Sequence, residues 1–488
     1  MTIMIVGLGP GDGRYITRQA WDILSAAETI YLRTERHPAV ADLPKGARIQ
    51  SFDHVYESAA DFSEVYKEIT ETILSTAKET AEHSGIIVYA VPGDAMFGEA
   101  SVAEIRERAA EEGIEVITVP GISFIEPTLA AVGIDGLDGL QLFDAIDITH
   151  FHYPPISPDI PLLLGQIYDR FLASEVKLTL SVLYPDEHEV MLIHGAGTAD
   201  QVVERTPLYG IDRSKLLAHL TALYIPPLPY ASTLAALAET IAHLRGPDGC
   251  PWDQEQTRQS MRATLLEEAS EVLEALDGDD VPAICEELGD LLYHLVMQSQ
   301  IALEQDEFRM TDMIAGINSK LKRRHPHVWG DWQVADSSEV VRNWERIKAE
   351  ERQSLGVRPS PLDNIPIVLP SLARAQKMQE RVKRVGFDWP DVAGVVAKVA
   401  EEINEVNTAD TRENREQEVG DLIFAVVNWA RWLGVDAESA LRVANQRFER
   451  RFRAVERLAS ERNSELSSLD LDVLDEMWEE AKRSLAEH

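Results

Sequence analysis

Hydrophobic and polar positions follow two different patterns along the 488-residue chain. Up to about residue 228, short apolar runs alternate with stretches of helical spacing, which indicates an α/β domain with a largely parallel sheet in its first part. The runs predicted as strands are "IMIVGLG", "IIVYAVPG", "EVITVPG", "VKLTLSVLY" and "EVMLIHGAG". After the proline-rich segment "YIPPLPYAST" at 224–233, the spacing is helical almost to the C-terminus, with a break at 355–370.

The helical half is predicted to be a duplication. "LLEEASEVLEAL" (265–276) is similar to "VAEEINEVNTAD" (399–410), and "EELGDLLYHLVMQ" (286–298) is similar to "QEVGDLIFAVVNW" (417–429). A third pair of similar segments follows in the same order, and three ordered matches rarely arise from composition alone. The chain is therefore predicted to have an α/β domain and two related all-α domains, at 1–228, 232–354 and 371–488.

Composition limits the environment and partners of the chain. Its 83 acidic and 46 basic residues give a net charge of −37, which argues against binding to a nucleic acid polymer. No run of about 18 apolar residues occurs, so we predict no transmembrane helix, and the first residues resemble a strand and turn rather than a targeting segment. Cys250 and Cys285 form neither a disulfide framework nor a zinc motif, so a cytoplasmic location is expected.

Each helical copy carries the pattern E-E-x-x-E on one predicted helix and E-x-x-D on the next. The spacing places Glu402 and Glu405 on one helix face, and Glu418 and Asp421 on one face of the following helix. A short connection should make these helices pack antiparallel, so that the two faces can meet. The apolar run after Asp421 predicts a buried helix, which would place the carboxylates at the edge of a core.

Clustered carboxylates at the edge of a core repel one another unless a cation compensates them. A set of oxygen ligands without His or Cys favours Mg²⁺ or Mn²⁺ over zinc. The alternative is a solvated acidic surface, but both motifs occur twice at the head of an apolar helix. The predicted metal ligands are Glu402, Glu405, Glu418 and Asp421 in the second copy, and Glu268, Glu271, Glu287 and Asp290 in the first.

The helical half resembles the MazG-type nucleoside triphosphate pyrophosphohydrolases. Both acidic motifs match that family in both copies. Three further segments, each present once, also match it: "GCPWDQEQT" (249–257), "KRVGFDWP" (383–390) and "DEMWEEAK" (475–482). The resemblance implies hydrolysis of a nucleoside triphosphate between its α and β phosphates, with a role in clearing the nucleotide pool. Bound Mg²⁺ would neutralise phosphate charge and lower the pKa of a water.

Two residues beside the acidic motif are further candidates for this reaction. Lys398 lies four residues before Glu402, hence on the same helix face, and is a candidate phosphate contact. Glu401 is a candidate for orienting or deprotonating the attacking water, with a surface role as the alternative. The first copy has Thr264 in place of Lys398, so we expect catalysis in the second copy, while the first is either active or structural.

A later helix of the second copy carries further candidate nucleotide contacts. Arg447, Arg450 and Arg451 are spaced to share a helix face and could bind phosphate oxygens, with a solvated basic stripe as the alternative. Asn445 precedes them and is a candidate nucleotide contact. The resemblance implies that Trp478 lines the base or ribose site, and an ordinary core position is the alternative.

Glycine-containing turns follow several predicted strands of the α/β domain. The turn in "IMIVGLGPGDGRYIT" does not have the G-x-G-x-x-G spacing, which argues against a dinucleotide-binding fold. Turns at the C-terminal ends of parallel strands converge on one crevice, where Met96, Phe97 and Phe124 beside Asp94 would suit an adenine-containing ligand with a polar end. Simple turns without a ligand are the alternative.

Residues 1 to about 225 resemble the tetrapyrrole methylase family, whose fold binds S-adenosylmethionine. "GLGPGDG", "PGDA" and "PGIS" carry the resemblance, with Ala95 where the family has proline. The cofactor contacts that it implies are Pro10, Gly93, Asp94, Ser123 and Phe124. The methyl acceptor is left open, and so is the choice between a methyltransferase, a cofactor sensor and an inert domain.

Three functions remain as hypotheses for the whole chain. The first is a magnesium-dependent nucleoside triphosphate pyrophosphohydrolase with a domain that binds S-adenosylmethionine, and the sequence favours it. The second is a methyltransferase whose helical half serves oligomerisation or regulation, and the third is a non-enzymatic helical assembly. Because helix bundles of this kind commonly pair, we predict a homodimer.

Overall fold

A computed structural model describes residues 1–59, 62–80, 85–353 and 360–486 of the chain. By their internal contacts these residues divide into two compact units, 1–255 and 256–488. The first unit contains both β-sheets, and the second is helical. The domain bounds expected from the sequence differ from this division, since residues 232–255 fall into the first unit, and they stay predictions.

The first sheet is entirely parallel, as the alternating pattern predicts, with the strand order β3-β2-β4-β1-β5. Its strands are β1 (Thr2–Gly7), β2 (Thr29–Leu32), β3 (Arg48–Ser51), β4 (Ile86–Val91) and β5 (Glu115–Val119). The helices around it are α1 (Arg18–Ala26), α2 (Asp53–Ser58), α3 (Phe62–Glu79), α4 (Ala100–Glu111) and α5 (Ile125–Val132). On β1, Ile5 packs with α3 and α4 while Val6 packs with α1 on the opposite face, so both faces of the sheet are covered.

The second sheet is mixed, with the order β6-β7-β10-β8-β9, in which β6 and β7 are parallel and the other pairs antiparallel. Its strands are β6 (Gln141–Asp144), β7 (Leu162–Gly165), β8 (Glu189–His194), β9 (Val202–Pro207) and β10 (Thr221–Ile225). The helices that follow β6 and β7 are α6 (Ala145–Ile148) and α7 (Arg170–Leu180), and α8 (Leu234–Arg245) and α9 (Pro251–Glu255) end the first unit.

The strand predicted at "VKLTLSVLY" is wrong, because most of this run lies in α7. The side chain of Asp169 accepts a hydrogen bond from the backbone N–H of Leu172 at 2.8 Å and caps the helix, which starts before the run. Leu172, Val176 and Leu180 then recur at helical spacing and are buried. The alternation within the run is therefore overridden by a helical face that extends beyond it.

The second unit consists of helices from both predicted copies. The first copy has α10 (Arg262–Gly278), α11 (Val281–Glu304), α12 (Met310–Arg324), α13 (Pro326–Trp329) and α14 (Ser337–Gln353). The second copy has α15 (Ser371–Lys383), α16 (Val392–Thr408), α17 (Arg412–Trp432), α18 (Ala437–Glu461) and α19 (Leu471–Ala486). Helices α10 and α11 pack together as a hairpin, and so do α16 and α17, which agrees with the duplication.

The prediction that the apolar helix after Asp421 is buried on all sides is wrong. Ala425 and Val427 are buried, but Ile423 and Val426 on α17 are exposed. One side of α17 packs against α15 and α16, while the other side has no cover within the described chain. Among the described residues, no helix has the length and apolarity needed to cross a membrane.

Candidate functional site

Glu402 occupies a position on α16 where helix packing would favour an apolar side chain. The side chain of Asp391 caps this helix by accepting a hydrogen bond from the backbone N–H of Gly394 at 3.1 Å. Val395, Val399 and Glu402 follow at helical spacing and form its buried face. Glu402 is therefore only 4% exposed, so its carboxylate is held in a largely dehydrated place.

Glu418 and Asp421 on α17 meet Glu402 as the two acidic motifs predict. Each of the three residues offers one carboxylate oxygen, and these oxygens lie within 4.8 Å of one another. We call this group the second-copy cluster. Oε2 of Glu402 is buried and has no hydrogen-bond partner. A buried carboxylate oxygen without a partner, beside two further carboxylates, fits a hard divalent cation that takes oxygen ligands.

Lys398 compensates part of this negative charge. Its Nζ lies 2.8 Å from Oε1 of Glu402 and 2.9 Å from Oε1 of Glu401. These contacts, with Glu401 and then Glu402, raise the pKa of Lys398, so the ammonium stays charged. Glu405 is exposed and lies outside the group of three, and some desolvation by its neighbours together with the nearby Glu402 raises its pKa. Its role as a fourth ligand stays a prediction.

The first copy forms a similar group from Glu268, Glu287 and Asp290, whose carboxylate oxygens also lie within 4.8 Å of one another. Partial burial and the nearby Glu271 raise the pKa values of Glu268 and Glu287. His294, which is not among the residues predicted from the sequence, is buried with its Nε2 3.7 Å from Oε1 of Glu268. Its spacing of four residues from Asp290 is the signal that could have identified it.

A cavity of about 640 Å³ opens beside the second-copy cluster. Lys398, Glu402 and Asp421 line one part of it. The remaining wall includes the apolar side chains of Met378, Val382, Phe387, Trp389, Phe424 and Ala425. A cavity that joins carboxylates and an ammonium to an aromatic wall suits a ligand with a charged end and a flat apolar end.

A network of polar side chains also lines this cavity. Nη2 of Arg431 donates to Oδ1 of Asp388 at 2.6 Å and to Oδ1 of Asn428 at 2.8 Å. Nε1 of Trp432 also donates to Asp388, at 3.2 Å. Burial alone would raise the pKa of Asp388, but the hydrogen bonds from Arg431 and Trp432 lower it on balance. Asp388 lies in the segment 383–390 that resembles the MazG family, but its acidic side chain has no repeated spacing that would predict this role from the sequence.

The other predicted nucleotide contacts lie apart from the cavity lining that the described residues form. Asn445, Arg447, Arg450 and Arg451 are on α18, and none of them lines the cavity. Trp478 contacts Phe448, with 5.2 Å between ring centroids, and packs with the core between α18 and α19. This position agrees with the alternative of an ordinary core residue, and the nucleotide roles of these residues stay predictions.

The glycine-containing turns of the first unit converge as predicted. The backbones of Gly9 and Gly93 exchange hydrogen bonds of 3.0 and 2.8 Å. A Cβ atom added to Gly7 would lie 2.6 Å from the carbonyl oxygen of Gly93 and 2.8 Å from the backbone of Gly121, so only glycine fits. Asp94 accepts backbone hydrogen bonds from Gly121 at 2.9 Å and from Met96 at 2.8 Å, which ties the turns after β4 and β5 together.

The remaining candidate cofactor residues have structural contacts of their own. Oγ of Ser123 accepts from the backbone N–H of Ile125 at 3.0 Å and donates to Glu126 at 2.6 Å. Phe124 packs so closely on Gly165 that a Cβ there would lie 2.8 Å from the ring. Pro10 is buried. These contacts explain the local fold, and the cofactor roles of Pro10, Gly93, Asp94, Ser123 and Phe124 stay predictions.

An ion pair that was not predicted from the sequence lies beside these turns. Nη1 of Arg33, directly after β2, lies 2.8 Å from Oε1 of Glu99, which precedes α4. Oε2 of Glu99 is buried without a hydrogen-bond partner. Burial raises the pKa of Glu99 to about 7, although Arg33 opposes the shift. No motif marks this pair, because its members are brought together only by the neighbouring strands β2 and β4.

Two family models match the chain. The model for tetrapyrrole (corrin/porphyrin) methylases matches residues 2–212, and the model for the MazG nucleotide pyrophosphohydrolase domain matches residues 256–329. The second match covers part of the first helical copy. The fold class expected from the sequence, an α/β methylase-like domain followed by MazG-type helices, is confirmed.

Two relatives show how far these similarities extend. The chain is 38% identical to the uncharacterized protein YabN of Bacillus subtilis (strain 168), over 99% of this chain and 98% of that protein. It is 47% identical to the nucleoside triphosphate pyrophosphohydrolase of Escherichia coli (strain K12), over 51% of this chain and 96% of that protein.

Solved structures also resemble part of the chain. The cobalt precorrin-4 methyltransferase CbiF is 17% identical, with a TM-score of 0.36 over 46% of this chain and 94% of that chain. A uroporphyrin-III-C-methyltransferase from Thermus thermophilus is 19% identical, with a TM-score of 0.37 over 46% of this chain and 94% of that chain.

Proposed function

Because the chain belongs to the family of YabN and joins a tetrapyrrole methylase domain to a MazG nucleotide pyrophosphohydrolase domain, we propose that its helical half hydrolyses nucleoside triphosphates to monophosphates and pyrophosphate. We further propose that the reaction takes place in the second copy and requires Mg²⁺ or Mn²⁺. Its biological role would be to remove unwanted nucleotides from the pool.

The buried oxygen of Glu402 is the observation that carries this proposal. Glu402, Glu418 and Asp421 would hold the cation, which supplies charge neutralisation at the phosphates and a lowered pKa for a water. Lys398 would contact phosphate oxygens, since it lines the cavity next to these carboxylates. Glu401 and Glu405 lie at the exposed side of the cluster, where one of them could accept the proton of the attacking water.

The cavity supports a site for the nucleoside. Phe387, Trp389 and Phe424 offer aromatic surface on which a base can stack. Asn428 and Arg431 offer polar atoms at the same wall, and the pairing of Arg431 with Asp388 fixes the orientation of its guanidinium. Base selection would therefore depend on these residues.

Release of pyrophosphate, measured separately from release of phosphate, tests the reaction. With Mg²⁺ and a panel of standard and modified nucleoside triphosphates, Glu402→Gln and Asp421→Asn should each lower kcat by about 100-fold or more, because each removes a charged ligand. Glu413→Gln, on an exposed part of α17, is the matched control and should keep kcat within about twofold of the parent. Full activity in both cluster variants would contradict the proposal.

A parallel variant distinguishes the two copies. Glu287→Gln removes a carboxylate from the first-copy group, whose position equivalent to Lys398 is Thr264. If catalysis belongs to the second copy, this variant should retain pyrophosphate release. Loss of activity in Glu287→Gln with retention in Glu402→Gln would assign the reaction to the first copy.

For the first unit we propose binding of S-adenosylmethionine at the converging turns after β1, β4 and β5. The support is the methylase match, the convergence of these turns, and Gly93, where an added Cβ would meet no atom within 4 Å, so that the backbone there borders open space. Calorimetric titration with S-adenosylmethionine should detect binding, and Asp94→Ala should weaken it because Asp94 holds two turns together. Absence of binding to the parent protein would contradict this proposal without affecting the hydrolase.

A further inference from the structure

Lys398 lies at the boundary between the second-copy cluster and the cavity. Its ammonium bridges Glu401 and Glu402 through contacts of 2.9 and 2.8 Å. Glu402 thus uses Oε1 for Lys398, while its buried Oε2 has no partner. One carboxylate therefore faces both an ammonium and the place proposed for a divalent cation.

These two positive charges compete for the same carboxylate. A cation that binds Glu402 together with Glu418 and Asp421 would lie a few ångströms from Nζ of Lys398, and like charges at such a distance repel. Because Lys398 is about one-third exposed and also lines the cavity, its side chain has room to turn away from Glu402. A negatively charged ligand in the cavity would draw it in that direction.

We propose that Lys398 is a positioning residue that makes metal binding in the second copy depend on nucleotide binding. Before nucleotide binds, the ammonium occupies Oε1 of Glu402 and weakens the affinity for the cation. When nucleotide binds, the ammonium of Lys398 pairs with phosphate oxygens in the cavity instead of with Glu402. Both carboxylate oxygens of Glu402 are then available to the cation. This inference rests on the proposed metal site of the second copy and adds the order in which its ligands become available.

The first copy lacks this feature. Its equivalent of Lys398 is Thr264, whose hydroxyl donates to the carbonyl oxygen of Met261 at 3.2 Å and carries no charge. The carboxylates Glu268, Glu287 and Asp290 are therefore not opposed by an ammonium at that position. We therefore expect metal binding to depend on nucleotide in the second copy and not in the first.

Binding of Mn²⁺, measured by calorimetry with and without an α,β-methylene nucleotide, tests the proposal. The full-length protein carries Glu268→Gln and Glu287→Gln in all samples, so that the first-copy group does not contribute. Lys398→Met should bind Mn²⁺ about tenfold more tightly than this parent when nucleotide is absent, since one charged hydrogen bond no longer competes. The gain in Mn²⁺ affinity on adding nucleotide should become smaller than in the parent.

Two further variants serve as controls for charge and for folding. Lys377→Met removes another partly exposed lysine of the second copy, which pairs with Glu380 at 3.4 Å, and should leave Mn²⁺ affinity unchanged. Lys398→Arg keeps the positive charge and should retain the nucleotide dependence of the parent. The thermal unfolding midpoint of each variant shows that the fold is kept.

The possible outcomes separate this inference from the proposed function. Equal or weaker Mn²⁺ binding by Lys398→Met without nucleotide would overturn the role of Lys398, even if the parent binds Mn²⁺ through Glu402. If the parent binds no Mn²⁺ even with nucleotide present, the metal site of the proposed function is itself contradicted, and the inference is rejected with it.

Discussion

At the scale of single residues, Glu402 shows how a functional group is placed at a cost in stability. It continues the buried face formed by Val395 and Val399, yet one of its oxygens has no hydrogen-bond partner. Burying a carboxylate costs several kcal/mol, and the ion pair between Lys398 and Oε1 of Glu402 recovers only a part of this cost. A carboxylate at this position is thus explained by ligand binding rather than by folding.

Glu402→Leu should therefore increase stability while it abolishes hydrolysis. We expect the free energy of unfolding to rise by about 1–2 kcal/mol, because an apolar side chain would complete the buried face. Urea denaturation measures this change, and Glu401→Leu, at an exposed neighbouring position, should give no such gain. A loss of stability in Glu402→Leu would show that the ion pair with Lys398 outweighs the cost of burying the carboxylate, and would contradict this explanation.

Glu99 provides a pH-dependent prediction for the first unit. Its pKa is raised to about 7 from an ordinary value of 4.5, so the folded chain binds an extra proton between these values. Its contribution to stability is complete below about pH 4.5 and is lost as the pH rises through 7, a change of up to about 3 kcal/mol. Glu99→Gln should flatten the pH dependence of the unfolding free energy over this range. An unchanged slope would contradict the shifted pKa.

At the scale of elements, the cavity depends on the segment between α15 and α16. Asp388 in this segment is joined to Arg431 and Trp432 at the end of α17. The side chains of Asp388 and Arg431 are both largely buried, so loss of either would leave the other as a buried charge without a counter-ion. The ion pair therefore holds Phe387 and Trp389 in the wall of the cavity.

A double-mutant cycle tests this connection. Asp388→Asn and Arg431→Met should each lower the free energy of unfolding by about 3 kcal/mol, because each leaves a buried partner without its counter-ion. The double variant should lose less than the sum, and both single variants should raise KM for the nucleotide. Additive losses of stability would mean that the two residues do not act as a pair.

Features that depend on residues close together in the sequence can be predicted from it, whereas features that depend on distant segments cannot. The acidic motifs predict the meeting of Glu402 with Asp421, because both spacing and a short connection are visible in the chain. The cavity is not predictable in this way, since Met378, Trp389 and Asn428 come from three segments that meet only after packing. Helix α7 was missed because its capping residue and first buried position lie outside the apolar run.

At the scale of the whole molecule, the two copies expose equivalent apolar stripes. On α11 these are Leu288, Leu292 and Leu295, and on α17 they are the equivalent residues Val419, Ile423 and Val426. Large exposed apolar surfaces at repeated positions are typical of protein interfaces. They support the predicted homodimer, in which the exposed side of each apolar helix would be covered.

Sedimentation equilibrium tests the dimer. The parent protein should sediment as a dimer at micromolar concentration, and Ile423→Asp combined with Leu292→Asp should weaken association by about 100-fold or more, because a charge would have to be buried at each stripe. Asn414→Asp, at an exposed polar position of α17, is the control and should leave the dimer intact. A monomeric parent protein would contradict the prediction.

The most direct test of the whole account is a crystal structure with Mn²⁺ and an α,β-methylene nucleoside triphosphate, using anomalous scattering to locate manganese. The account predicts a manganese peak between Glu402, Glu418 and Asp421, with phosphate oxygens beside it and the base against Phe387 and Trp389. A nucleotide bound elsewhere, with no manganese among these three carboxylates, would contradict it.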